Sequence, residues 1–119
     1  MKVAGFGFRN TATPAALAEA LERAGGAAGL TALATVQDKV AGLQAFAESL
    51  GLPVIGLPRE ALAAVQTPTQ SPRVKARFGT GSLAEAAALA AAGPGARLKG
   101  KRSQSADGAA TAAIAEGLK

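Results

Sequence analysis

Short apolar runs alternate along this chain with helix-patterned segments that glycine closes, and that alternation dictates a sheet covered by helices. Lys2 to Phe8 reads as a first strand, ending in a loop at Arg9, Asn10 and Thr11. Thr13-Pro14 then supplies an N-cap with proline at the first helical position. The helix carries Leu17 and Leu21 on one face as far as Arg23 or Ala24, and Gly25-Gly26 stops it. Leu30 to Ala34 forms a short strand, Val36 to Leu50 a helix with Val40, Leu43, Phe46 and Leu50 on its apolar stripe, and Pro53 to Leu57 a third strand. Pro58 to Val65 is a short helix, and Gln66 to Pro72 a polar loop expected to be mobile until something binds.

The next stretch, S-P-R-V-K-A-R-F-G-T-G-S-L-A-E-A-A-A-L from Ser71 to Leu89, reads as a basic strand, a glycine turn and a capped helix. Arg73, Lys75 and Arg77 alternate, so a strand presents all three on one face and Val74, Ala76 and Phe78 on the other. Gly79 and Gly81, either side of Thr80, permit a sharp turn or a close approach. Ser82 and Glu85 stand at capping-box spacing, so the helix from Leu83 to Ala92 aims its free N–H groups at that turn. Gly93-Pro94-Gly95 ends it, and two closing strands, Arg97 to Lys101 and Ala109 to Ala115, flank Asp107-Gly108. The expected fold is α/β: a single-domain, three-layer α/β/α sandwich over residues 1–119, its sheet mainly parallel with an antiparallel C-terminal element.

With neither cysteine nor histidine, the chain has no disulfide, thiol nucleophile or Ser-His-Asp triad, and no metal site is expected. No apolar run reaches the ~20 residues a membrane span needs, and Met1-Lys2-Val3 opens directly into a strand, so the expected location is the cytoplasm, with no membrane partner. A net charge of +5 suggests an acidic partner, and charge alone does not separate nucleic acid, an anionic membrane and a polycarboxylate small molecule. Four Phe with no Trp or Tyr supply few stacking platforms, which tells against nucleic acid.

Three loops at strand ends can hold an anion. In Gly5-Phe6-Gly7-Phe8-Arg9, Asn10 stands where a dinucleotide fingerprint needs its third glycine, so NAD is excluded. The plainer reading of those glycines is close packing, with Arg9 solvated. Thr35 can cap the second helix with Asp38 as its partner, and Lys39 in that first turn opposes the helix dipole, either as an anion ligand or as a surface lysine beside its own carboxylate. The third is the basic strand and glycine turn, where three cations exceed what a cap requires. Arg97, Lys99, Lys101 and Arg102 read as a solvated edge.

The segments G-F-G-F-R at Gly5–Arg9, L-A-T-V-Q-D-K at Leu33–Lys39, G-L-P-V at Gly51–Val54, G-T-G-S-L-A-E-A-A-A-L at Gly79–Leu89 and A-T-A-A-I-A at Ala110–Ala115 resemble, in order and spacing, the CobE and CbiG C-terminal domain family of cobalamin biosynthesis. Thr69 and Gln70 interrupt what is usually a tighter T-P-S segment, and Ala112 stands where valine is common. The resemblance implies a free-standing protein that binds a corrinoid, such as hydrogenobyrinic acid or a precorrin, and presents it to other enzymes of the pathway, with no cofactor of its own. The candidate binding residues, read from the three loops and in agreement with the resemblance, are Gly7, Phe8, Arg9, Thr35, Lys39, Arg73, Lys75, Arg77, Gly79, Thr80, Gly81, Ser82 and Glu85. One alternative is a hydrolase that opens a precorrin lactone with release of acetaldehyde, in which Lys39 polarises the carbonyl and Glu85 or a Lys39-activated water attacks it. Another is a binder of nucleic-acid phosphates.

Overall fold

The computed structural model describes residues 1–117, so Leu118 and Lys119, part of the expected domain, lie outside the described residues. Strand β1 (Lys2–Phe8) leads through helix α1 (Pro14–Ala24) to β2 (Ala32–Val36). A 3₁₀ turn (Gln37–Lys39) and α2 (Val40–Leu50) then lead to β3 (Val54–Leu57). Helices α3 (Arg59–Ala63), α4 (Pro72–Phe78) and α5 (Leu83–Ala92) follow, then β4 (Arg97–Leu98), β5 (Ser103–Gln104) and β6 (Ala110–Glu116).

The sheet runs β3-β2-β1-β6-β4, with β5 also on β6. β1, β2 and β3 are mutually parallel, whereas β6 is antiparallel to β1, β4 and β5. The expected three-layer α/β/α sandwich with an antiparallel C-terminal element is therefore present, and β6 lies inside the sheet rather than along its edge.

Side chains of β1 alternate between the two faces, as strand geometry requires. Ala4 and Phe6 enter a core with Leu17 and Leu21 of α1 and Leu43 and Phe46 of α2, where the Phe6 and Phe46 rings meet edge to face at 5.9 Å. Val3 enters the opposite core, with Leu62 of α3 and Leu83, Ala86 and Ala87 of α5. On that face Gly5 carries no side chain, and a Cβ there would overlap the Ala84 carbonyl oxygen and stand 2.5 Å from the Ala88 nitrogen. The glycine of β1 and the alanines of α5 thus let backbone rest on backbone, as the packing reading of those glycines expects.

Several sequence expectations are corrected. The basic segment is helix α4, not a strand: the Ser71 hydroxyl accepts from the Val74 N–H, Pro72 takes the first turn, and Gly79 closes the helix with φ +76°. Six residues are too few for a twofold charge alternation to outweigh a Ser-Pro helix start. Thr35 does not cap α2. It is a buried residue of β2 whose hydroxyl donates to the Phe6 carbonyl at 2.9 Å, because the strand extends to Val36. The strand expected over Arg97 to Lys101 stops at Leu98, so Lys101 and Arg102 lie in the connection to β5.

Candidate functional site

A cleft of about 360 Å³ opens beyond the carboxyl end of β1, where α/β sheets place their ligands. Its floor is the end of β1, Gly7 and Phe8, with Leu83 and Ala84 from the start of α5. Val74 and Phe78 of α4 form one wall, and Ala109 and Thr111 at the start of β6 face them. Phe8 is fixed from behind by close packing on Gly42 of α2, where a Cβ would stand 2.8 Å from its ring.

Five cations line this cleft, Arg9, Lys39, Arg73, Arg77 and Arg102, and no carboxylate does. Three come from separate connections: Arg9 follows β1, Lys39 ends the turn after β2, and Arg102 precedes β5. Arg73 and Arg77 stand four apart on α4, one helical turn, and so share a face. The ion pairs formed among the described residues, Arg23 with Glu19, Arg59 with Asp38 and Lys99 with Glu116, use none of the five.

Lys39 is the most constrained of them. Its ammonium donates to the Phe8 carbonyl at 2.6 Å and lies 4.9 Å from the centroid of the Phe8 ring. Partial burial, and then the nearby Arg77 guanidinium, push its pKa below the ordinary lysine value. Arg77 in turn stacks at 5.4 Å from the Phe78 centroid, and Arg59 at 5.3 Å holds the same ring while pairing with Asp38. Both aromatic rings of the cleft therefore carry a cation, an apolar surface bordered by positive charge.

The sequence-predicted residues divide into two groups. Gly7, Phe8, Arg9, Lys39, Arg73 and Arg77 line the cleft, and Thr35, Lys75, Gly79, Thr80, Gly81, Ser82 and Glu85 do not. Lys75 leaves because a helix turns it away from Arg73 and Arg77, which a strand would not do. The glycine turn packs inward instead: a Cβ on Gly81 would stand 2.6 Å from the Thr69 carbonyl oxygen, and the Gly81 carbonyl accepts from the Ser71 N–H at 2.8 Å. Thr80 is buried, with a hydroxyl that has no hydrogen-bond partner among the described residues.

Ser82 is the N-cap of α5, its hydroxyl accepting from the Glu85 N–H at 3.2 Å. The Glu85 carboxylate does not face the cleft; it is fully buried and accepts from Thr69 and Arg102. The loop from Gln66 to Pro72, expected to be mobile, is internally bonded as well, Gln70 donating through its amide to the Thr67 carbonyl at 2.8 Å. Arg102 and Gln104 are cleft residues that the sequence reading assigned to a solvated edge or passed over. Nothing local marks them, since only the pairing of β5 with β6 brings them beside the end of β1.

Among the described residues no cluster of three or more Asp or Glu is placed to hold a metal, and no helix is long and apolar enough to cross a membrane.

Residues 2–115 match the protein family described as cobalamin synthesis G C-terminus. Among solved structures, the chain is similar to CobE, described as a protein from the cobalamin (vitamin B12) biosynthetic pathway, at 32% identity and TM-score 0.84, over 99% of this chain and 91% of that one. It is also similar to the cobalamin biosynthesis protein chiG from Agrobacterium tumefaciens str. C58, at 34% identity and TM-score 0.74, over the whole of both chains. No curated protein gives a match.

Proposed function

The chain belongs to the cobalamin synthesis G C-terminus family, and from that premise we propose that it binds a corrinoid intermediate in the basic cleft and presents it to enzymes of the pathway in the cytoplasm. The observation that carries this reading is the convergence of Arg9, Lys39, Arg73, Arg77 and Arg102 on one cleft that has aromatic walls and no carboxylate. Corrin precursors bear acetate and propionate arms around an apolar macrocycle. Guanidinium groups pair with such carboxylates in bidentate fashion, and the Phe8 and Phe78 rings supply the apolar contact.

The size of the cleft limits how much of the ligand it takes. At about 360 Å³ it is at the small end of ligand pockets, which run from ~300 to ~1,000 Å³. It holds an edge of the macrocycle with its carboxylate arms and leaves the rest exposed, an arrangement suited to handing the ligand on.

The lactone-opening alternative retains only Lys39, since the Glu85 carboxylate is buried, engaged with backbone and side-chain donors, and not among the residues that line the cleft. The nucleic-acid alternative calls for a stripe of cations tracking a phosphate backbone, whereas these five converge on a concavity.

Visible-absorption titration with hydrogenobyrinic acid at moderate salt tests the proposal. A saturable spectral shift, weakened in Lys39→Ala and Arg77→Ala, is the expected result. No shift with the unmodified chain overturns it for this corrinoid.

A further inference from the structure

Glu85 is the only charged side chain that is fully buried among the described residues, and no ion pair compensates it there. A buried carboxylate is costly unless hydrogen bonds replace its hydration. Three do so: Oε1 accepts from the Thr69 N–H at 2.9 Å, and Oε2 accepts from the Thr69 hydroxyl and the Arg102 N–H, each at 3.0 Å. Its place in the first turn of α5 adds the favourable end of the helix dipole.

The partners of this carboxylate lie in two short segments, the first also held by the Ser71 N–H on the Gly81 carbonyl and the second by the pairing of β5 with β6. Thr69 stands two residues before Ser71, the cap of α4, and α4 has no buried residue of its own. Arg102 sits between two strands of two residues each. Both segments supply cations to the cleft, Arg73 and Arg77 from one and Arg102 from the other.

We propose that Glu85 is a positioning residue, whose buried carboxylate ties the segment leading into α4 to the segment of Arg102 and so sets the spacing of the cations across the cleft. A glutamine cannot replace it in this role. If its amide nitrogen takes the Oε2 position, it meets the Arg102 N–H, donor against donor. In the other orientation it meets the Thr69 N–H. Either way one main-chain tether is lost while volume and packing are kept, so Glu85→Gln probes the tether with little change in the core.

The test uses the full chain and two readouts, of which the affinity readout alone rests on the corrinoid proposal. Amide hydrogen exchange in Glu85→Gln should accelerate about tenfold in residues 69–79 and in 99–104 together, with β1 to β3 retaining their protection. Affinity for hydrogenobyrinic acid should fall about tenfold, and Arg102→Ala should weaken binding less in the Glu85→Gln background than in the wild type. Acceleration spread evenly over the sheet, none in 99–104, or strictly additive losses of affinity would overturn the proposal. If Glu85→Gln does not fold, Thr69→Val decides, since it removes one bond to the carboxylate and should loosen 69–79 alone; unchanged exchange there overturns the proposal. If the wild type does not bind hydrogenobyrinic acid, the corrinoid reading falls and the exchange pattern alone judges the tether.

Discussion

The Lys39 ammonium donates to the Phe8 carbonyl at 2.6 Å, joining the turn after β2 to the end of β1 on the edge of the cleft. That bond holds a cation where partial burial and the Arg77 guanidinium both disfavour charge. The free protein therefore holds a cation that an anionic ligand would stabilise, and protonation of Lys39 should be linked to the proposed binding.

The sign of this linkage is fixed. The Lys39 pKa is lowered in the folded chain, so between that value and the ordinary 10.5 the unfolded chain binds more protons and stability rises with pH. A bound carboxylate favours the charged amine and draws the pKa back up. Affinity for a polycarboxylate should accordingly hold at neutral pH and decline on the alkaline side, starting below the usual lysine range. Titrations from pH 7 to 10.5 check this, and Lys39→Arg, which keeps its charge throughout, should remove the decline. An identical decline in Lys39→Arg would count against the linkage.

The helical form of 72–78 separates three cations that a strand would have aligned. Arg73 and Arg77 face the cleft and Lys75 does not. Each alanine variant removes one unit of charge, so long-range attraction changes equally in the three and only local contact distinguishes them. Arg77→Ala should weaken corrinoid binding about tenfold, the cost of a charge-assisted hydrogen bond, and Arg73→Ala severalfold. Lys75→Ala should change it by no more than about twofold. Equal losses in all three would place these side chains on one face after all.

Much of the fold is legible because its signals are local. Thr13-Pro14 starts α1, Gly51 ends α2 with φ +69°, and the apolar runs mark β1 and β3 to within a residue or two. Ser71-Pro72 carries the same start signal as Thr13-Pro14, and over so short a segment that signal outweighs the alternation of Arg73, Lys75 and Arg77, which taken alone also fits a strand. Arg9 and Lys39 are legible as cleft residues because loops at the carboxyl ends of parallel strands converge in any such sheet. Arg102 is not, because it reaches the cleft through the antiparallel insertion of β6 between β1 and β4. The glycine turn misleads for a related reason: glycine permits close approach without saying to what, and at Gly81 the neighbour is the chain's own Thr69 and Gln70.

Gly5→Ala tests the contact that fixes the floor of the cleft. The added methyl would overlap the backbone of α5 at Ala84 and Ala88, and neither strand nor helix can yield by a rotamer change. Overpacking at flexible side chains costs about 1–3 kcal/mol, and a backbone neighbour places this change at or above about 3 kcal/mol. Urea denaturation should show the loss as a lowered midpoint, against Gly51→Ala as a control where a Cβ meets nothing and only the left-handed backbone resists. A Gly5→Ala loss below about 1 kcal/mol would mean that α5 does not rest on β1 as described.

Ser71 offers the sharpest separation of local order from global stability. Its hydroxyl caps α4 by accepting from the Val74 N–H, and such a cap contributes about 1 kcal/mol to the helix it starts. Because α4 meets the core only through the partly buried Val74 and Phe78, Ser71→Ala should lower the denaturation midpoint only slightly. Fraying of α4 would nevertheless disperse Arg73 and Arg77, and affinity for hydrogenobyrinic acid should fall about fivefold, the equivalent of ~1 kcal/mol. Ser71 also lines the cleft, so the loss could arise from a direct contact with ligand. Ser71→Asn distinguishes the two, because asparagine caps as well as serine while presenting an amide in place of the hydroxyl. Recovery of affinity in Ser71→Asn assigns the effect to the cap, and a loss equal to that of Ser71→Ala assigns it to the hydroxyl.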